Sequence, residues 1–195
     1  MEDLALAFLA VYGALAFVFR VVLQLIRTGS TGVKGVRGGV LEWAAGALLV
    51  GGIALSVVGV LHDDAGRVGA LDGHGAHAAG AFLCTAGIVM TFGSQFAMGD
   101  AWRIGVDDSE RTKLVTDGPF RLVRNPIYSG MVPFFAGIAL IVPNLATIAA
   151  PLLVLAGLEI QTRVVEEPYL VRTHGEEYER YAARVGRFFP GVGRR

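Results

Sequence analysis

The sequence predicts an all-α fold: a polytopic membrane protein of about five transmembrane helices with a cytoplasmic C-terminal helical segment. Three observations predict it. Hydrophobic residues make up 53% of the 195 and charged residues only 17%, against roughly 25% charged in soluble domains. The charge deficit is uneven, with long apolar runs alternating with short charged connectors, the pattern of a membrane chain. The apolar runs also lack the alternating polarity of barrel strands. A chain in lipid must bond its own backbone, so the runs are helices. With 17 basic and 17 acidic residues, the balance excludes a global nucleic-acid binder. A single cysteine, Cys84, inside an apolar run excludes an internal disulfide and a cysteine metal cluster.

The first span is Leu4 to Ile26, interrupted only by Arg20. Met1-Glu2-Asp3 ahead of it is acidic, where a secretory signal carries a basic region, so this run is expected to be retained. Arg20 lies near the cytoplasmic end and is expected to snorkel to water. The second span is Val40 to Leu61, with Glu42 near its start. The third, Ala76 to Gly99, has no charge. Each is long enough for a bilayer core of about 30 Å. The fourth block, Ile127 to Ile160, has Val142-Pro143-Asn144 in its middle, a turn signal. It therefore reads as a hairpin with arms Ile127–Val142 and Leu145–Gln161, each short for a full span. Residues 1–195 form one domain, with three spans in 1–100 and the hairpin and tail in 101–195. Glycines inside the spans, such as Gly46, Gly51, Gly52, Gly80, Gly87, Gly137 and Gly157, predict close helix packing.

Lysine and arginine orient the chain. The first connector holds Arg27, Lys34 and Arg37, and the third holds Arg103, Arg111, Lys113, Arg121 and Arg124. The tail from Arg163 onward holds seven, the second connector only Arg67, and the hairpin turn none. Connectors one and three and the tail are thus expected on the cytoplasmic face. The Ala/Gly/Val/Arg-rich composition suggests a GC-rich bacterium and hence an inner membrane.

Two polar segments flank the hairpin on that face. The first is WRIGVDDSERTKLVTDGPFRLVRNPIY, from Trp102 to Tyr128. Asp117-Gly118-Pro119 is a turn, and Pro126 suits the first helical position. Asn125, forced out of helical geometry by the proline, is expected to cap the next span. The second runs from Glu159 to Pro190. Glu166 and Glu167 lie just past the hairpin, where a carboxylate must face water, a cation or a ligand or start the next helix. Gly175 breaks the helix, and Glu176–Val185 is amphipathic, with Tyr178, Tyr181, Ala182 and Val185 on one face. Two such segments at the mouth of a bundle could enclose a pocket half in lipid and half in water.

GPFRLVRNPIYSG, followed about 40 residues later by EEPYLVRTHGEEYERYAARVGRFFP, resembles the isoprenylcysteine carboxyl methyltransferase family and, more loosely, the phospholipid methyltransferases. The resemblance covers about the last 95 residues. It implies an integral-membrane enzyme that uses S-adenosylmethionine and methylates a lipophilic, prenylated-cysteine-type acceptor reached from membrane lipid. It implies that Lys113, Leu114 and Val115 lie along the cofactor and that Phe120 packs near it. Asn125, Pro126, Ile127 and Tyr128 would cradle it, and Glu166 would hold a polar part, with Glu167 beside. Many relatives have histidine where this chain has Asn125. The eukaryotic enzymes place an acceptor-facing arginine where this chain has Thr162, with Arg163 next to it. Three rival readings follow: a phospholipid or amine N-methyltransferase, a non-enzymatic membrane scaffold, and a sterol-type reductase needing NADPH.

The sequence carries no Gly-rich Rossmann fingerprint. His74 and His77, with Asp63, Asp64 and Asp72 nearby, could bind a metal but lie on the outer connector, so no metal site is assigned. Lys34-Gly35-Val36-Arg37-Gly38-Gly39 reads as a turn that touches anionic lipid, not a phosphate loop.

Overall fold

The structure, a computed structural model, describes residues 1–33, 39–64, 66–105 and 113–195. Most of the basic turn at 34–39, and Arg111 in the third connector, lie outside the described residues. Six helices carry the fold: α1 Glu2–Thr28, α2 Val40–Leu61, α3 His74–Met98, α4 Pro126–Ile141, α5 Leu145–His174 and α6 Glu176–Arg184. Four are long and apolar enough to cross a membrane: α1, α2, α3 with its short extension to Ala101, and α5. With 16 residues, α4 reaches about 24 Å at 1.5 Å per residue, less than a bilayer core.

Helix ends follow local chemistry. Glu2 and Asp3 occupy the first turn of α1, where acids complement the helix dipole. Gly29, at φ 73°, closes it as a left-handed cap. Asn144 does more than make the hairpin turn. Its side chain accepts from the Thr147 backbone N–H at 3.0 Å, and Thr147 Oγ accepts from the Asn144 N–H at 3.1 Å, a capping box. Asn144 Nδ2 also donates to the Gly59 carbonyl at 2.6 Å, pinning the hairpin to α2.

The end of the second hairpin arm is corrected. The second hairpin arm does not stop at Gln161 with Glu166 and Glu167 opening a new helix. Instead α5 runs on to His174 through a π-helical turn at Gln161–Glu166. The wider turn just ahead of Pro168 lets the helix continue past a residue that cannot donate. Gly175, at φ 51°, then ends it.

The bundle is built from two tight pairs, α3 against α4 and α2 against α5. In the first, a Cβ on Gly80 would lie 2.7 Å from the Gly137 carbonyl oxygen, and one on Gly87 2.7 Å from that of Gly130. In the second, Gly52 faces Val154 and Gly157 faces the Ala45 carbonyl at similar range. Small residues thus set the backbone approach. Gly46 and Gly51 depart from the expectation, since a Cβ there meets nothing within 4 Å. Between the pairs sits a core of Phe134, Phe135, Ile138, Val154 and Leu158, with Tyr12 of α1 stacked on Phe134 at 4.0 Å.

Arg20 does not snorkel. It is 1% exposed, donates to the Gly99 carbonyl, and lies 4.7 Å from the Trp102 ring centre. Beside it Gln24 Nε2 donates to the Asp100 carbonyl at 2.9 Å. A carbonyl and an aromatic face inside the bundle serve the guanidinium in place of water, tying α1 to the end of α3. His74 and His77, expected on the outer connector, open α3 instead; His77 pairs with Asp72 of the connector at 3.0 Å, and Arg67 bridges Asp63 and Asp72.

Candidate functional site

The two polar segments meet through their backbones. Arg124 N–H donates to the Gly186 carbonyl at 2.8 Å, and Asn125 N–H to the Arg187 carbonyl at 3.1 Å. Ser129 Oγ donates to the Phe188 carbonyl at 2.7 Å, and Tyr181 OH to the Phe120 carbonyl at 2.6 Å. The tail thus lies along the entry to α4 and holds Asn125-Pro126-Ile127-Tyr128 in place. Asn125 occupies the cap position without a side-chain cap bond. Its Nδ2 instead reaches toward the Arg187 carbonyl at 3.3 Å, so the expected capping role gives way to anchoring the tail.

The adjacent carboxylates have different surroundings. Glu166 accepts from Tyr128 OH and faces a cavity. Glu167 is 2% exposed and sits among arginines: Arg124 at 2.8 Å, Arg187 at 2.8 and 3.1 Å, and Arg195 at 3.3 Å. Arg124 also donates from Nη1 to the carbonyls of Ala182 and Val185 at 2.9 and 2.6 Å and from Nη2 to that of Gly193 at 3.0 Å. The Glu167 carboxylate holds the Arg187 guanidinium above its ordinary range. Burial pushes the Tyr178 phenol up to about 12, so it is neutral at every physiological pH. Glu167 is therefore the hub that fastens the tail, and it does not line the cavity beside Glu166.

The cavity has a volume of about 440 Å³, within the range of small-ligand sites. Nine of the ten residues expected along the cofactor line it: Lys113, Leu114, Val115, Phe120, Asn125, Pro126, Ile127, Tyr128 and Glu166. Of the two residues expected at the acceptor, Thr162 is buried in the bundle and Arg163 points outward to pair with Glu159. Neither is on the wall.

Much of the wall comes from elements the motifs did not implicate. Helix α1 supplies Tyr12, Ala16 and Phe17, α2 supplies Glu42, Gly46, Leu49, Val50 and Ile53, and α3 supplies Thr91, Gln95 and Met98. Trp102, Arg103, Gln161 and Tyr169 complete the polar end. A signal was present for some: Tyr12, Glu42 and Gln95 are polar interruptions of apolar spans, which mark functional cavities. The cavity thus has a polar mouth at the tail and an apolar arm running down between α1 and α2.

The donor set at the mouth suits a sulfonium cofactor. A carboxylate (Glu166) and several aromatic rings (Phe120, Tyr169, Tyr178, Tyr181) surround one space, and a compact cation is attracted by both. Arg103 lies 4.9 Å from the Tyr169 ring centre, so that ring already faces a guanidinium and the sulfonium end is left to Glu166 and the other rings.

Residues 76–177 match the phospholipid methyltransferase family. Over 104 residues the chain is 34% identical to the probable protein-S-isoprenylcysteine O-methyltransferases of Oryza sativa subsp. indica and subsp. japonica, covering 53% of this chain and 52% of each relative. The chain therefore matches about half the length of these curated relatives. Among solved structures, the eukaryotic intramembrane Ras methyltransferase, an isoprenylcysteine carboxyl methyltransferase, superposes with a TM-score of 0.59 at 20% identity, covering 97% of this chain and 68% of that one. At that identity the likeness concerns the fold.

Proposed function

Because the chain belongs to the phospholipid methyltransferase family, we propose that it is an S-adenosylmethionine-dependent methyltransferase whose acceptor is a lipophilic molecule drawn from the membrane. The observation that carries this reading is the cavity itself. Its polar mouth gathers nearly every residue the motifs assign to the cofactor, and its apolar arm reaches into the bundle between α1 and α2. The bound cofactor would supply an electrophilic methyl group on a positively charged sulfur. Glu166, held by Tyr128, would meet the positive end. Lys113 to Val115, Phe120 and Asn125 to Ile127 would line the remainder. Methyl transfer is a displacement that needs alignment more than acid–base chemistry, and a walled cavity supplies alignment.

The names of the curated relatives favour carboxyl methylation of a prenylated cysteine, and a carboxylate acceptor is already deprotonated at neutral pH. The family's description favours a second reading, N-methylation of an aminophospholipid. The excess of lysine and arginine in connectors one and three and the tail supports a cytoplasmic mouth, and the Ala/Gly/Val/Arg-rich composition is what suggests a bacterial inner membrane. The test is transfer of a labelled methyl group from S-adenosylmethionine by the purified protein to two acceptors, a farnesylated cysteine and phosphatidylethanolamine. Label in the first supports the carboxyl reading and label in the second the amine reading. Cofactor binding without label in any lipophilic acceptor contradicts both.

A further inference from the structure

The cavity wall carries two glutamates, and among the described residues only one accepts a side-chain hydrogen bond. Glu166 accepts from Tyr128. Glu42, in the first turn of α2, is 9% exposed and lines the same cavity. Its backbone N–H donates to the Gly39 carbonyl at 3.0 Å, and among the described residues its carboxylate has no hydrogen bond or ion pair. The carboxylate sits at the N-terminal dipole of α2, and a carboxylate on the wall of an intramembrane cavity favours a cationic partner. The wall below it is apolar: Gly46, Leu49, Val50 and Ile53 follow at helical spacing on the same face, and the space over Gly46 is open. An amphiphile whose chain lies along this face places its head group at Glu42.

We propose that Glu42 is a specificity-determining residue that receives a protonated amine on the head group of the acceptor. The inference rests on the reading of the cavity as the acceptor site and adds the charge of the acceptor's head. A cationic nitrogen would supply a counter-charge and a charge-assisted hydrogen bond, whereas a head bearing only negative charge would be repelled. Two sources share this chemistry: a prenylated amino acid with a free α-ammonium, and an aminophospholipid.

The experiment is calorimetric binding to the full chain in detergent, using two ligand pairs that differ in one charge. The first pair is S-farnesylcysteine methyl ester and its N-acetyl derivative. The second is lysophosphatidylethanolamine and its N-acetyl derivative. In one pair the ammonium ligand should bind wild type about tenfold more tightly or better, the range of a charge-assisted hydrogen bond. Glu42→Gln should close that gap to about twofold while leaving the N-acetyl affinity unchanged, which also shows that the variant is folded. The pair with the Glu42-dependent gap identifies the source. Gly46→Phe, which fills the arm, should weaken both members of that pair. Equal binding within both pairs, or a gap that survives Glu42→Gln, overturns the role of Glu42 and leaves the acceptor cavity standing. If no ligand binds wild type, the acceptor reading and the inference fall together.

Discussion

At the residue scale, two neighbouring glutamates separate binding from folding. Removing one partner of a buried ion pair costs about 3–5 kcal/mol, because the other charge stays buried. Glu167 answers to three arginines, two of them almost fully buried. Glu167→Gln is therefore expected to lower the cofactor-free melting temperature steeply and to expose the region after Gly175 to protease. An unchanged melting temperature would refute its role as the hub. The sequence made the pair conspicuous without separating its members. The Glu-Glu motif reads as one acidic unit, and only Arg124 and Arg187, 43 and 20 residues away, assign Glu167 to the tail. Asn125 was legible as a boundary through Pro126, but its bond to Arg187 was not, because that contact depends on where the tail lies.

At the element scale, the close helix pairs rest on glycines, and their individual roles can be distinguished. A Cβ at Gly87 would meet the Gly130 carbonyl oxygen at 2.7 Å, while one at Gly51 meets nothing. Gly87→Ala is expected to cost about 1–3 kcal/mol through overpacking. Gly51→Ala should be neutral or stabilise by up to about 1 kcal/mol, as expected for alanine in an open helical position. Denaturation in mixed micelles measures both, and equal effects would contradict the packing assigned to α3 and α4. Sequence alone located these helices well. Helix α2 begins and ends at the expected residues, because hydropathy and the flanking glycine and histidine all point to the same limits. The extension of α5 was hidden, since the apolar run ends near Gln161 and the π turn that carries the helix on has no simple sequence signature. The burial of Arg20 was hidden for a similar reason. Snorkelling is the default for an arginine near a span end, and its partners Gly99 and Trp102 lie about 80 residues away.

At the scale of the whole molecule, the fold class followed from hydropathy, while the site needed three dimensions. Nine of the residues assigned to the cofactor line the cavity, while Glu167, Thr162 and Arg163 do not, and the apolar arm belongs to α1 and α2, which carry no motif. The placement of the mouth makes a topological prediction. The second connector and the tail should lie on opposite faces, so reporters fused at Gly69 and after Arg195 should give opposite signals. The same signal from both would contradict the five-span arrangement and with it the cytoplasmic placement of the mouth.

The central claim is that this mouth holds S-adenosylmethionine through Glu166. The most direct measurement is calorimetric titration of S-adenosylmethionine and NADPH into the wild type and into Glu166→Gln, alongside their cofactor-free melting temperatures. Wild type should bind S-adenosylmethionine and not NADPH. Glu166→Gln should weaken that binding by roughly 1.5–3 kcal/mol, the worth of a hydrogen bond to a charged group, with little change in melting temperature. Binding of NADPH in place of S-adenosylmethionine, or an affinity that Glu166→Gln leaves unchanged, would contradict the account.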